Sequence, residues 1–407
     1  MTAARGPAYR WVILAVAFLG IFGALGLGRF GYSTVLPDMQ PALGLSGAAA
    51  GSLASWNLAG YTLMALVGGL LASRFGPRKV VTTGMVVTAA GMLLTGFSGS
   101  LATASGARLL TGIGNGMVMA PSIALMSAWF DGRRLGLAST IAASGNGVGL
   151  VVAGPLVPRI VESGGVEGWR LAWYFFAVVT IFMALLTFGF ERDRPSGTVR
   201  TRPPKTPNTG PGLVDLAGVV RSGYAWHLGS VNFLYGFAYL IYFTFFQKRL
   251  IADLDFSSET AGSLFLVVGA SSLVFGVLWG AVSDRIGRGR TLATILALQA
   301  LAAGLFALRP STASLIMSAI LFGSGVFSVP GLIGAACGDG FGPKLAFTSL
   351  GFVTVFIGAG MAIGPYVGGL LEDRFSSLAP SYVVSAAVFV VAALAAVLVR
   401  DARGRHC

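Results

Sequence analysis

Long apolar runs alternate with short polar segments along the whole chain. Each run is about 20 residues or slightly longer, which is the length of α-helix that crosses the hydrocarbon core of a bilayer. Gly, Pro and Ser punctuate the intervals between the runs, as connections between helices require. The pattern predicts twelve membrane-spanning helices, at 11–36, 48–72, 79–99, 101–129, 134–158, 169–190, 225–247, 259–283, 290–308, 312–336, 346–371 and 381–399.

Basic residues are distributed unevenly over the segments between the predicted helices. With the N-terminus placed inside, the inner segments hold 20 of the 28 Lys and Arg residues, the outer segments hold 6, and Arg29 and Arg108 lie within helices. Cytoplasmic loops of membrane proteins carry such an excess of Lys and Arg. We therefore predict an all-α, multi-pass protein of the cell inner (plasma) membrane, with both termini in the cytoplasm.

Composition counts against several other classes of protein. Hydrophobic residues make up 55% of the 407 residues and charged residues 11%, about half the charged share of a soluble domain. The net charge of +13 is spread over short loops, which does not favour nucleic-acid binding. Two cysteines and two histidines form no metal-binding pattern. The sequence predicts no enzyme activity, no metal and no cofactor, and the lack of a nucleotide-binding loop does not favour a primary pump.

The chain repeats itself at an offset of 211 residues, at which the loop 69–79 matches the loop 280–290. Between the two halves, residues 191–212 are rich in Pro, Arg and Thr, which is typical of a flexible linker. We therefore predict a six-helix N-terminal bundle at 1–190, a cytoplasmic linker at 191–221 and a six-helix C-terminal bundle at 222–407.

Both loops of the repeat resemble the signature loop of the major facilitator superfamily, G-x-L-x-D-R-x-G-R-x-R/K. The second loop departs from that signature only in Val282, whereas the first loop has Ser73 in place of the acidic residue and Pro77 where an Arg often stands. The run 108–116 is similar to the fourth-helix signature of the same superfamily, and Gly168-Trp169-Arg170 is also familiar there. Within the superfamily, residues 28–37 look like the bacterial YbfB/YjiJ-like branch.

The resemblance implies two six-helix bundles around a central cavity lined by helices 1, 4, 7 and 10, which is exposed alternately to the two sides of the membrane. It also implies gating by the signature loops, in which Asp284 would latch the inner side by meeting the N-terminus of a helix in the opposite bundle. Ser73, its counterpart, offers only a neutral hydrogen bond. The alternative is that the loops are topology signals only. The predicted gating residues are Arg74, Arg78, Asp284, Arg285 and Arg288.

Two arginines lie within predicted spans, where a charge is costly and usually functional. Arg29 precedes Pro37 by 8 residues and Arg108 follows Leu101 by 7 residues, so each lies about 10–12 Å below the outer end of its helix. No Asp or Glu lies deep in a predicted helix. Two buried cations without buried carboxylates favour an anionic ligand, which arginine binds bidentately. The alternative is that either arginine bonds helix carbonyl groups or extends toward the interface.

The seventh predicted helix carries a polar and aromatic stripe, Asn232, Tyr235, Tyr239 and Tyr242. Its 3-4-3 spacing places these residues on one face of a helix. We expect this face to line the cavity opposite the arginines, and the alternative is an interfacial aromatic belt. The predicted substrate-binding residues are Arg29, Arg108, Tyr32, Asn57, Asn115, Asn232, Tyr235, Tyr239 and Tyr242, of which Asn57 and Asn115 could equally bond a neighbouring helix.

Glycines recur at short intervals in the eleventh predicted helix, between residues 360 and 369. Small residues four apart let helices approach closely. We therefore predict close helix packing along this run.

These features predict a secondary active transporter for a small organic anion, a carboxylate or a sulfonate. We expect it to act as a monomer in contact with membrane lipid. A proton that travels with the anion would be carried on the substrate or by an acid at a membrane end, and symport, uniport and anion exchange stay open. Efflux of hydrophobic drugs or metabolites is a second hypothesis, against which the two arginines count. A non-transporting sensor on the same scaffold is a third.

Overall fold

The computed structural model describes residues 8–130, 132–194, 213–308 and 311–399, which form helices and short connections without any β-strand. Most of the predicted linker and both chain ends lie outside these residues. The α-helices are α1 (Tyr9–Ile21), α2 (Gly31–Ala42), α3 (Gly47–Phe75), α4 (Pro77–Phe97), α5 (Leu101–Trp129), α6 (Gly132–Ala143), α7 (Gly145–Gly164), α8 (Gly168–Phe190), α9 (Leu213–Val220), α10 (Gly223–Lys248), α11 (Ser258–Ile286), α12 (Arg288–Ala307), α13 (Thr312–Gly325), α14 (Ser328–Phe375) and α15 (Ala379–Val397).

The predicted all-α, multi-span architecture is confirmed. Among the described residues, ten helical stretches are long and apolar enough to cross a bilayer, and the bent pair Gly47–Ala65 and Val67–Phe75 makes an eleventh. One of the ten, Arg134–Phe190, has 57 residues, enough for two crossings, and contains both α7 and α8. Another long helix, α14, joins two predicted spans across Gly342, whose φ of 71° is not helical. Each of the twelve predicted spans therefore coincides with helix in the structure.

Short polar residues and glycines set several of the helix ends. Ser100, Ser257 and Ser311 each accept a hydrogen bond from the N–H three residues further on, at the starts of α5, α11 and α13. Gly76 and Gly287 connect α3 to α4 and α11 to α12 with φ of 90° and 98°, a conformation that favours glycine. Both signature loops therefore make their tight turn at a glycine.

The chain divides into two compact units. Unit 1 comprises Met1–Leu43, Trp56–Ala153 and Arg159–Thr209, and unit 2 comprises Gly44–Ser55, Gly154–Pro158 and Gly210–Cys407. The first turns of α3 and a short piece of α7 thus belong to unit 2, although they precede the linker in the sequence.

Unit 1 has its core where α1, α4, α5 and α8 meet. Ile13, Met85, Val118 and Trp173, one from each of these helices, are completely buried. The α4–α5 and α4–α8 pairs make extensive helix contacts in this unit. Because the apolar side chains come from four separate helices, burying them stabilises the arrangement of the whole unit.

Unit 2 has an aromatic core. Tyr242 of α10 stacks on Phe322 of α13 with ring centroids 3.7 Å apart, and Phe246 stacks on Phe306 of α12 at 4.9 Å. Tyr382 of α15 packs edge-on against Tyr242 and donates its hydroxyl to the Tyr242 carbonyl at 3.0 Å. Stacked and edge-on ring pairs add to the stabilisation from burial. The rings therefore join α10, α12, α13 and α15.

The glycine-rich run 360–369 lies in α14, and the close packing predicted for it is confirmed. A Cβ added to Gly364 would lie 2.3 Å from the Phe237 carbonyl oxygen of α10. One added to Gly369 would lie 2.0 Å from the Gly47 carbonyl oxygen at the start of α3. Because both distances are far below van der Waals contact, a larger residue would force the helices apart.

A carboxylate from the end of α14 caps the start of α3. Asp373 accepts hydrogen bonds from the backbone N–H groups of Gly47 at 2.5 Å and Ala48 at 2.8 Å. Next to it, Glu372 forms an ion pair with Lys248. The first N–H groups of a helix have no partner within the helix, and the helix dipole also favours a negative charge there. Asp373 therefore ties α3 to α14 within unit 2.

We expect Asp373→Asn to lower the thermal unfolding midpoint of the detergent-purified protein. The amide offers one acceptor oxygen in place of two and carries no charge, and losing a helix cap costs about 1 kcal/mol. Asp255→Asn is the matched control, because it removes the same charge from an exposed residue whose φ of 57° asparagine also tolerates. Identical midpoints for Asp373→Asn and the parent would contradict the capping role.

Candidate functional site

The first span is broken at the position of Arg29. A π-helical segment, Phe22–Leu27, follows α1, and α2 begins only at Gly31. Within the break, the Gly28 N–H bonds five residues back to the Gly23 carbonyl at 3.3 Å. Wide turns of this kind inside helices are rare and are frequently found at functional sites.

Side chains from two other helices satisfy carbonyl groups of the break. Arg108 of α5 donates from Nη1 to the Gly28 carbonyl at 2.8 Å, and Thr180 of α8 donates to the Gly23 carbonyl at 3.1 Å. The Asn115 carboxamide, oriented with its nitrogen toward the surrounding acceptors, donates to a carbonyl of the π-helical segment at 2.8 Å. Irregular backbone at membrane depth requires such partners, because no water is available there.

Arg108 is almost completely buried, with 1% of its surface exposed. Its guanidinium carbon lies 4.8 Å from the ring centre of Tyr32 and 5.2 Å from that of Trp173. Asn57 donates to the Arg108 carbonyl at 3.2 Å. Aromatic faces stabilise a cation through their electrostatic quadrupole. Of the predicted binding set, Arg108 and Asn115 bond carbonyl groups of the break, while Tyr32 and Asn57 contact Arg108 itself. The bond from Arg108 to a helix carbonyl agrees with the alternative given for this residue, and its contact with a substrate stays a prediction.

Arg29 lies on the turn between the π-helical segment and α2, and it is half-buried. Its guanidinium carbon is 5.1 Å from the ring centre of Phe30 and 5.2 Å from that of Tyr61. Arg29 directly follows Gly28, whose carbonyl group Arg108 bonds, so both positive charges lie at the same break. An anion beside Arg29 would be attracted by both charges. We call Arg29, Tyr32, Tyr61, Arg108 and Trp173 the arginine–aromatic cluster.

The stripe predicted on the seventh span lies in α10 and is buried within unit 2. Tyr235 donates its hydroxyl to the Val326 carbonyl, at the break between α13 and α14, and stacks on Tyr239 at 5.2 Å. Tyr242 shares a hydrogen bond of 2.7 Å with the Ser318 hydroxyl. Asn232 donates to a backbone carbonyl of α14 at 3.2 Å. None of the four stripe residues is more than 3% exposed, so their contacts in this structure are those of helix packing.

The predicted gating residues lie in separate local networks. In unit 2, Arg288 pairs with Asp284 at 2.7 Å and with Asp339 of α14 at 3.1 Å. The latch predicted for Asp284 stays a prediction. Arg285 is exposed. In unit 1, Arg74 is exposed and its guanidinium carbon lies 5.3 Å from the ring centre of the next residue.

Arg78, the remaining gating residue, is tied to the end of α8. Its Nε donates to the Phe188 carbonyl at 2.9 Å, and its backbone N–H donates to Asp193 at 2.8 Å. Ser73 bonds back to the Leu70 carbonyl at 2.8 Å within its own helix. In unit 1 the carboxylate that caps α4 therefore comes from the segment after α8, and not from the signature loop.

Sequence reasoning missed the roles of Tyr61, Trp173 and Thr180, because a single aromatic or hydroxyl residue in an apolar span carries no specific signal. Five glycines between residues 20 and 31 could have indicated the break, since glycine weakens a regular helix. Among the described residues, no group of three or more His, Cys, Asp or Glu side chains could hold a metal ion.

The chain is similar to known membrane transporters along nearly its whole length. Residues 17–365 and 228–406 match the family model described as Major Facilitator Superfamily. The probable sulfoacetate transporter of Cupriavidus necator is 26% identical, with 96% of this chain and 94% of that protein covered. The hexuronate transporter of Bacillus subtilis is 22% identical, over 94% of this chain and 93% of that protein. Human monocarboxylate transporter 11 is 24% identical, over 93% and 80%.

Solved structures support the same fold. A bacterial homolog of the human lysosomal transporter Spinster, in an inward-facing and unoccupied conformation, has a TM-score of 0.73 at 17% identity, with 97% of this chain and 96% of that chain covered. The nucleoside transporter NupG has a TM-score of 0.76 at 17% identity, over 95% and 98%. At these identities the likeness concerns the fold alone.

Proposed function

This chain belongs to the Major Facilitator Superfamily of membrane transporters, and we propose that it carries a small organic anion, a carboxylate or a sulfonate, which binds at the arginine–aromatic cluster. Transport follows by alternating access, with the anion and its site exposed first to one side of the membrane and then to the other. We further propose that the protein is a monomer in the inner membrane with both termini in the cytoplasm, as the distribution of basic residues favours.

One observation carries the proposal: Arg29 and Arg108 lie at the same break in the first span, where Arg108 bonds the carbonyl group of Gly28, the residue that precedes Arg29. Charges at membrane depth are costly, and two like charges side by side are more so. A substrate anion would relieve their mutual repulsion, since it would be attracted by both. A hydrophobic cation would instead be repelled by the two arginines.

We assign different roles to the two arginines. Arg29 is half-buried beside Tyr61, and its planar guanidinium can bind a carboxylate or sulfonate with two hydrogen bonds. The Tyr61 hydroxyl can donate a further bond to the anion. Arg108 is only 1% exposed, whereas Arg29 is half-buried, and Arg108 donates from one Nη to the Gly28 carbonyl. Arg108 therefore acts on the anion by its charge and by holding the break in shape.

The names of similar transporters support this substrate class. Sulfoacetate, hexuronate, monocarboxylate, phosphoglycerate, and oxalate with formate are the substrates in the names of proteins 22–26% identical to this chain. All of them are small organic anions. Because they differ in size and charge, the chain's own substrate within the class requires measurement.

A thermal-shift screen of the detergent-purified protein tests the proposal. We expect sulfoacetate, glucuronate, pyruvate or oxalate to raise the unfolding midpoint, because a ligand at 100 times its Kd stabilises the folded state by about 2.7 kcal/mol. Glucose is the matched control for glucuronate, since it differs only in having a neutral hydroxymethyl group in place of the carboxylate. Stabilisation by the hydrophobic cation tetraphenylphosphonium, with no response to any anion, would contradict the proposal and favour drug efflux.

A further inference from the structure

A buried carboxyl group lies at the end of α8, just beyond the membrane-spanning stretch Arg134–Phe190. Glu191 follows the last residue of α8 and has 0% of its surface exposed. In the part of the chain that the structure describes, neither carboxylate oxygen of Glu191 has a hydrogen-bond partner. Buried polar groups are nearly always hydrogen-bonded, so an unpartnered carboxyl group calls for an explanation.

The backbone around Glu191 is held firmly by its neighbours. Tyr9 of α1 donates its hydroxyl to the Phe190 carbonyl at 2.6 Å, and Trp129 of α5 donates its indole N–H to the Arg192 carbonyl at 3.0 Å. Arg192 itself donates to the Glu191 carbonyl at 2.7 Å. The bonds from Tyr9 and Trp129 come from two other helices, so they fix the backbone that carries the Glu191 side chain.

The two charged groups that act on Glu191 have opposite effects on the pKa of its carboxyl group. Asp193, two residues further on, adds a negative charge, while Arg78 of α4 adds a positive one. Arg78 is committed elsewhere, because its guanidinium donates to the Phe188 carbonyl and its N–H to Asp193. Of the other titratable groups near this end of α8, the Tyr9 hydroxyl and the Arg192 guanidinium bond backbone carbonyls. An ionised Glu191 would therefore lack any hydrogen-bond donor among the described residues.

We propose that Glu191 is a proton-binding site, neutral in the conformation of this structure and ionised when movement of α8 relative to α4 gives it water or a hydrogen-bond donor. Burial, and secondarily Asp193, raise the pKa of Glu191 to about 8, although Arg78 opposes the shift. The group thus changes charge near physiological pH. If the proposed function holds, this site supplies the proton that travels with the anion, at the predicted cytoplasmic end of unit 1.

Thermal unfolding as a function of pH tests the site without any ligand. Because the pKa of Glu191 is raised in the folded protein, its proton stabilises the fold fully below about pH 4.5, and this stabilisation is lost as pH rises to about 8. We expect Glu191→Gln, which is permanently neutral, to flatten the fall of the unfolding midpoint between these values. Glu162→Gln is the matched control, because Glu162 is an exposed acid of the same unit and its replacement should leave the pH profile as in the parent.

A Glu191→Gln profile that follows the parent at every pH would overturn the proposal. If the glutamine variant does not fold, Glu191→Leu replaces it, because a neutral site without donors should accept an apolar side chain. A leucine variant whose midpoint still falls with pH like the parent's would overturn the proposal equally.

The fluorescence of Trp129 provides a second measurement, since its indole N–H bonds the carbonyl group of the residue next to Glu191. A fluorescence step between pH 7 and 9 should be present in the parent and absent in Glu191→Gln and in Trp129→Phe.

Sulfoacetate uptake into proteoliposomes distinguishes the proton site from the proposed function. We expect uptake by the parent to rise with an acid exterior and uptake by Glu191→Gln to be insensitive to pH. Equal pH dependence in the two proteins would overturn the coupling role. Failure of the parent to take up any of the four screened anions would count against the proposed function, and the unfolding profiles would still decide whether Glu191 binds a proton.

Discussion

Arg29→Gln is expected to abolish binding and uptake of the anion while the protein still folds. Glutamine keeps much of the side-chain length and polarity but loses the positive charge and the planar fork. Removing one partner of a close charge pair costs about 2–5 kcal/mol of binding, which is at least about 30-fold in affinity. The measurements are anion binding by thermal shift and uptake into proteoliposomes.

Two further variants make the Arg29 result specific. Arg29→Lys keeps the charge without the fork, so it should retain part of the affinity. Arg159→Gln removes the same group from an exposed position of unit 1 and should bind and transport like the parent. If Arg29→Gln binds an identified anionic substrate as tightly as the parent does, the anion site is not where we place it.

Arg108→Gln is expected to reduce stability as well as binding. Arg108 is only 1% exposed, and the substitution removes its charged donor from the Gly28 carbonyl. It also leaves a void beside the Tyr32 and Trp173 rings. A lost hydrogen bond of this kind, with its acceptor left buried, costs about 2–4 kcal/mol. We therefore expect a clear fall in the thermal unfolding midpoint, which Arg29→Gln should not show.

Thr180→Val is the graded control for Arg108. It removes a neutral hydrogen bond to the Gly23 carbonyl of the same break, so the loss should be smaller, at about 1 kcal/mol. The order of unfolding midpoints should then be the parent, Thr180→Val and Arg108→Gln, from highest to lowest. If the Arg108→Gln protein is as stable as the parent but does not bind the anion, Arg108 contacts the substrate directly and does not stabilise the break.

The arginines illustrate how far sequence reasoning reached. Their rarity and depth in the sequence identified both as residues of interest, because a charge in an apolar run stands out without knowledge of the fold. Their separate roles depend on which carbonyl groups lie nearby. Arg108 and Gly28 are 80 residues apart in the chain, and no local pattern records that they meet.

For the stripe on α10, the sequence predicted the helical face but not its surroundings. The spacing of Asn232, Tyr235, Tyr239 and Tyr242 correctly places them on a helix, but periodicity says only that the residues share a face. In the structure, Tyr242 stacks on Phe322 and Tyr235 bonds the carbonyl freed at the α13–α14 break. A cavity-lining tyrosine and a core tyrosine have the same spacing, so only the neighbouring helices distinguish them.

What the sequence determined by itself was the part of the structure that follows from local chemistry. The helical spans follow from the length of apolar runs, and the turns at Gly76 and Gly287 follow from the backbone freedom of glycine. Tertiary structure alone decided the break at Phe22–Leu27, the position of Arg29 beside Tyr61 and the burial of Glu191. The physical reason is that desolvation and hydrogen bonding depend on atoms contributed by distant segments, which meet only when the helices pack.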